Sequence, residues 1–332
     1  MLDDCTTVPS LFRRKECITA VAERLKHHSE VDPMLERVAK PTLTPFGLHH
    51  GETLRFSLRR GSVWEMTLLE TAAEVVAREY DERYGNTDGG HGRGDISVYA
   101  FSCAARVNGK DYVLRREVGS QASFYEPWVI DGVRIWFDAT ACAFARHGGF
   151  LVEKDERWGF VCAPDHAARF AVQEADSPIC PEPLSPWYPN AEGRLDIRDC
   201  YCGEDCWMGP YGGIAAHCGL DINMSAGTVL TTPIAVDDQY LFHATAAGFG
   251  NNRWRGTRRW PDGSAWALQA HHVINLLVPE HTPLPAGTPY ATTAGVAVGL
   301  HEHTHFLFQV IEQGGAYWLD PWILFWAIFR QR

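Results

Sequence analysis

His217-Cys218-Gly219-Leu220-Asp221 and, much later, His303-Thr304-His305-Phe306 are the stretches on which the fold and the chemistry of this chain turn. In a β-strand, alternate side chains share a face. Read as a strand, the first stretch points His217, Gly219 and Asp221 one way and Cys218, Leu220 and Ile222 the other. The second set is apolar and can be buried. The first is polar, with a Gly in its middle that leaves room for an ion. By the same alternation His301, His303 and His305 share a face, with Thr304, Phe306 and Phe308 behind them. A helix would also bring His217 and Asp221 together, but Gly219, Gly227 and the run Thr228-Val229-Leu230-Thr231-Thr232 favour strand. A His and a carboxylate on one strand, joined by a His from a distant strand, make a three-ligand set. Imidazole nitrogen and carboxylate oxygen suit a borderline cation such as zinc, and three protein ligands leave a fourth position open, which marks a catalytic rather than a structural site.

Outward from these stretches, the 332 residues are enough for two domains, and 45% hydrophobic with 21% charged residues excludes global disorder. A net charge of −11 argues against a nucleic-acid partner. The start, Met1-Leu2-Asp3-Asp4-Cys5-Thr6-Thr7, shows no signal peptide, and no apolar run is long enough to predict a transmembrane helix. The run Trp322-Ile323-Leu324-Phe325-Trp326-Ala327-Ile328-Phe329 follows Asp320-Pro321, a cap and a first-turn proline, and reads as a short C-terminal helix packed on the core. Cys200, Cys202, Cys206 and Cys218 cluster near the first motif without the paired spacing of a zinc ribbon, so buried thiols or disulfides are the expectation there. The composition is silent on oligomeric state.

The fold expected is mainly β. Residues 13–40 are charged and helix-compatible. Residues 54–58, Arg59-Arg60-Gly61 and 63–69 then read as strand, turn and strand. Residues 84–95 form a Gly-rich loop without the Gly-Lys-Ser/Thr of a phosphate loop. Asn108-Gly109 and Asp131-Gly132, each between β-prone runs, predict two tight hairpins. These features predict an N-terminal β-sandwich or barrel-like domain over 1–185. A Pro-rich stretch (Pro178, Pro181, Pro183, Pro186, Pro189) sets the boundary, and an antiparallel β domain with the terminal helix follows over 186–332.

The C-terminal segment resembles the lysostaphin-type zinc endopeptidases, a family that cuts peptide cross-links of peptidoglycan. The resemblance is carried by His217-Cys218-Gly219-Leu220-Asp221, Ala226-Gly227-Thr228-Val229, Ala270-His271-His272 with Val278 and Ala286-Gly287-Thr288, and His303-Thr304-His305-Phe306, in that order over about residues 210–310. It departs from the family pattern in residues 251–266, which read as a long Trp- and Arg-rich loop, and at Leu307. The resemblance implies a C-terminal antiparallel β-sheet peptidase domain of lysostaphin type and Zn2+ held by His217, Asp221 and His305. It implies that His303 orients or deprotonates the attacking water and that one further His stabilises the oxyanion. Spacing to Gly287 and the apolar Val273 favour His272 for that role, while the Ala-His order favours His271. It further implies a peptide or peptidoglycan substrate and an extracytoplasmic location.

Trp254, Trp260 and Trp266 fit either a groove lining or the core, and Arg253, Arg255, Arg258 and Arg259 make a local basic patch that fits either a contact with a substrate carboxylate or a solvated loop. His301 fits a rim role, and His49, His50 and His91 fit the surface. Two rival readings remain. One is a non-haem iron oxygenase using two His and one carboxylate, which leaves the His303/His305 pair unexplained. The other is a degenerate peptidase domain acting as a binding or activating module.

Overall fold

Both Asn-Gly and Asp-Gly signals fold as the sequence dictates. Asn108 (φ 46°) with Gly109 (φ 82°), and Asp131 (φ 49°) with Gly132 (φ 79°), close two-residue hairpin turns with both central residues at positive φ. A computed structural model describes residues 34–80, 95–118, 125–140, 166–188, 210–211, 215–216, 219–243, 252–298, 301–312 and 315–330. Strands are numbered in chain order.

The chain is mainly β. A five-stranded sheet runs in the order β1 (Met34–Val38), β3 (Thr53–Ser57), β4 (Val63–Tyr80), β5 (Asp95–Val107), β6 (Lys110–Val118). A four-stranded sheet runs β2 (Thr44–Leu48), β9 (Ala168–Glu174), β8 (Val133–Thr140), β7 (Trp128–Ile130). Leu54, Phe56, Trp64, Met66 and Phe101 of the first pack on Phe46, Phe137, Phe170 and Val172 of the second, which makes the N-terminal portion a sandwich. The helix expected over 13–40 is corrected at its end: Met34–Val38 is an edge strand, parallel to β3, exposed and half-buried by turns. Pairing with β3 overrides the helical propensity of its Leu, Glu and Arg, while residues 13–33 lie outside the described residues, as do 84–94 of the Gly-rich loop expected over 84–95, whose last residue, Asp95, opens a strand.

The C-terminal portion holds a seven-stranded antiparallel sheet. Its main path is β12 (Leu220–Asn223), β20 (His301–Glu312), β16 (Ala265–His271), β15 (Arg253–Arg259), β14 (Asp238–Phe242), with β19 (Val296–Val298) and β21 (Gly315–Leu319) also on β20. A three-stranded sheet, β13 (Val229–Thr231), β18 (Pro289–Thr293), β17 (Val273–Leu276), and the pair β10 (Pro210–Tyr211), β11 (Ala215–Ala216) complete it. The expected loop over 251–266 is instead the β15–β16 hairpin, and Trp254, Trp260 and Trp266 lie in the core rather than in a groove. Helix α1 (Trp322–Arg330) packs Trp322, Ile323, Leu324 and Phe325 into that same core. Its first turn is capped as expected, Trp322 N–H donating to Asp320 Oδ1 at 2.8 Å. No helix among the described residues is long and apolar enough to cross a membrane.

Met34–Arg332 forms one compact unit with two cores. The four-stranded sheet lies between them: Phe137, Phe170 and Val172 face the sandwich core, Trp136 and Ala171 the C-terminal one. With both faces covered, β2 and β9 are buried along their whole length. A buried ionic cluster ties the layers. Arg116 on β6 pairs with Asp320 and with Asp138 on β8, Arg169 Nε on β9 donates to Asp138 Oδ2 at 2.6 Å, and Asp320 N–H donates to Asp138 Oδ1 at 2.9 Å. Burial pushes the Asp320 carboxyl up to about 6, against the opposing pull of Arg116. Cys103 and Cys180 are buried thiols, each pushed up to about 12 by loss of solvent, which makes them inert packing groups.

Candidate metal centre and its imidazole cluster

β20 is the scaffold of the candidate site. It alternates as its sequence demands, with Phe306 and Phe308 in the C-terminal core and His303, His305 and Leu307 on the opposite face. Burying the two Phe side chains contributes on the order of 1.5–3 kcal/mol each, so a one-residue slip that turned them outward, and the imidazoles in, is strongly disfavoured.

Along one edge β20 pairs with β12, and the register sets Asp221 opposite His305 and Asn223 opposite His303. Leu220 and Ile222 anchor that register from the core side. Directly opposed residues of an antiparallel pair lie close and share a face, so two of the three expected ligands sit side by side. His217 lies outside the described residues, and Asp221 is described through its backbone register. Among the described residues, no group of three or more His, Cys, Asp or Glu is gathered around a point that could hold a metal.

Gly219 connects the two motifs physically. Its φ is +134°, and a Cβ built there would meet the Phe306 carbonyl oxygen at 2.2 Å and His305 Cε1 and Nε2 at 2.7 Å each. The backbone of the first motif therefore approaches the His305 ring as closely as a residue without a side chain permits. A Cβ would fill that space, and the imidazole of His305 beside it carries the kind of nitrogen donor that a zinc-type ion takes.

β16 supplies the rest. It ends at His271, and His272 follows at φ 60°, an uncommon conformation for a residue with a side chain. This left-handed residue turns the chain out of the seven-stranded sheet into β17 and separates the two neighbouring rings. The His271 ring lies 4.8 Å from that of His305, and the His272 ring 4.7 Å from that of His303. His303, His305 and His271 are buried, and His272 is half-buried. His271 Nε2 also lies 3.3 Å from Gln269 Oε1, its neighbour on the same face. Four of the imidazoles named from the sequence, His271, His272, His303 and His305, are thus brought together in two pairs. His49 and His50 are exposed, as expected, and His91 lies outside the described residues.

The basic patch divides. Arg258 pairs with Asp237 and Glu182, and Arg255 Nη2 donates to Gln309 Oε1 at 3.1 Å. Arg253 sits in register with His271, a placement that the sequence reading missed because it depends on the pairing of β15 with β16.

A scan against protein-family models found no match, and neither did a search of curated proteins. Solved structures to which the chain is similar include lysostaphin in solution, at 21% identity over 31% of this chain and 42% of that one, TM-score 0.26. They also include the catalytic domain of the antimicrobial peptidase lysostaphin from Staphylococcus simulans, at 20% identity over 36% and 84%, TM-score 0.27. A zinc containing peptidase from Vibrio cholerae matches at 12% identity over 67% and 55%, TM-score 0.25. The chain spans less than half the length of the first of these.

Proposed function

We propose that this protein is a zinc-dependent endopeptidase, with residues 186–332 as its catalytic portion, residues 1–185 as a further β-rich portion, and peptide cross-links of peptidoglycan as its substrate. The observation that carries this is the antiparallel register of β12 on β20, which sets Asp221 opposite His305 with Gly219 against the His305 ring. His217, Asp221 and His305 are the proposed ligands. When bound there, zinc supplies Lewis acidity and lowers the pKa of water toward ~7.

The remaining groups belong to the chain. His303, two positions from His305 on the same face, is the proposed general base: a neutral imidazole takes the proton of the attacking water and passes it to the leaving amine. His272, whose ring neighbours that of His303, is the proposed donor to the oxygen on which negative charge develops. His271, against His305 and Gln269, is the proposed positioning residue for the ligand ring. An iron oxygenase would need only two His and one carboxylate and leaves His303 and His272 without a task.

The test is incubation of the zinc-loaded chain with purified peptidoglycan and a peptide panel, with mass analysis of products. New termini that vanish with a chelator and return with zinc are expected. A folded, zinc-bound protein that cuts nothing in either set would overturn the assignment.

A further inference from the structure

Row by row across the seven-stranded sheet, the pairings line up residues that share a face. Phe242 opposes Arg253, Arg253 opposes His271, and Asp221 opposes His305. The pairing of β16 with β20 ends at Ala270 opposite Phe306, and the next step along both strands sets His271 against His305, whose rings are 4.8 Å apart. One lateral row therefore runs Asp221, His305, His271, Arg253, Phe242. The neighbouring row on the same face carries Arg255, Gln269 and Leu307, and the Arg255–Gln309 hydrogen bond confirms the shared face.

Resting on the hydrolase reading, we propose that Arg253 is a specificity-determining residue that binds a carboxylate of the peptide substrate, beside the bond to be cut. Three observations support it. The row puts a guanidinium one strand from His271 and two from His305, which at ~4.8 Å per strand is about 10 Å from the ligand imidazole. An extended peptide advances about 3.3–3.6 Å per residue, so a chain lying across the row carries a carboxylate to Arg253 from within about three residues of the scissile carbonyl.

The second observation is its environment. Arg253 is half-buried, flanked by the exposed Phe242 and the buried His271, and loss of solvent holds its pKa below the ordinary arginine value. A cation partly withdrawn from water gains more from an anionic partner than one on the open surface. The third is placement within the patch: the register of β15 on β16 sets Arg255 opposite Gln269 and Arg258 opposite Trp266, farther along the strand, and sets Arg253 opposite His271. A planar guanidinium also meets a carboxylate through two parallel hydrogen bonds, which fixes the peptide's register as well as holding it.

The experiment uses the full chain and the peptide of the panel that is cut fastest, prepared with a carboxylate at successive positions or with the matching amide. Arg253→Gln is expected to lower the acid-over-amide ratio of kcat/KM by about 10–100-fold, the worth of a charged hydrogen bond, with the loss falling on KM. Arg253→Lys restores part of the ratio, because it keeps the charge and loses the fork. A ratio unchanged in both variants overturns the proposal while leaving the hydrolase reading intact. Calorimetry of metal-free protein with N-acetyl-Ala-Ala and its C-terminal amide gives an arm without turnover: the acid is expected to bind more tightly, and Arg253→Gln to abolish the difference. If the wild type hydrolyses nothing, the hydrolase reading falls and this arm still decides Arg253. Equal binding of acid and amide to the wild type removes it.

Discussion

Gly219→Ala probes the link between the two proposed metal motifs most directly. At φ +134° the added methyl is strained whatever the space around it, at about 1–3 kcal/mol. The space is also taken. The Cβ would stand 2.2 Å from the Phe306 carbonyl oxygen, a strand backbone atom that cannot rotate away, and 2.7 Å from two atoms of the His305 ring. Overpacking of this kind adds about 1–3 kcal/mol. The sum, about 2–6 kcal/mol, is a large share of the stability of an ordinary domain. Urea unfolding measures it. Relief has to come from β20 moving or from the His305 ring turning, so chelator competition on the variant is expected to show zinc affinity down by at least about tenfold, as for loss of ligand orientation. Gly227→Ala is the control. Its φ is +78° and no atom of the described residues lies within 4 Å of the built Cβ, so it carries the backbone cost alone and is expected to leave zinc affinity unchanged. A Gly219→Ala protein within about 0.5 kcal/mol of wild type, with the same zinc affinity as the Gly227 variant, would refute the close approach of the two motifs.

Three further outcomes are expected. His305→Ala loses both bound zinc and turnover, whereas His303→Ala keeps zinc, read by atomic absorption, and loses turnover by about 10²–10⁴-fold as expected for a general base. Arg116→Met leaves the Asp138 and Asp320 carboxylates facing each other without their shared cation, and is expected to cost about 3–5 kcal/mol in urea unfolding at pH 7. The third is a pH dependence. The folded pKa of Asp320, about 6, is raised above its value of 3.8 for an unburied carboxyl, so the folded state holds a proton that the unfolded state has released between those values. Its contribution is therefore fully present below about pH 4 and lost as pH rises through about 6. Between pH 5 and 7 wild type is expected to lose roughly 1 kcal/mol relative to Asp320→Asn, and a difference that stays flat or grows would contradict the buried, partly protonated carboxyl.

What could be read from the residues, and what could not, divides by distance along the chain. The Asn108-Gly109 and Asp131-Gly132 hairpins follow from φ preferences of adjacent residues, and the two faces of β20 from a period of two, so both were legible. The β15–β16 hairpin was not, and Gly256 explains why. Within a Trp- and Arg-rich run a glycine reads as a loop breaker, yet here a Cβ would stand 2.4 Å from the Trp254 ring, so the glycine is the hollow into which that indole folds inside the core. The charged strand Met34–Val38 was hidden because its stability comes from β3 rather than from its own pattern. The Arg116, Asp138, Arg169 and Asp320 cluster had no signal at all, since its members lie on four separate segments and only their common burial unites them. Arg253 belongs to the same class. Its type and charge were visible and its basic neighbours made it one of several, until two strand registers set it in line with His271. A motif scan finds residues that share a strand, whereas specificity of the kind argued for Arg253 is written across strands, and only pairing reveals it.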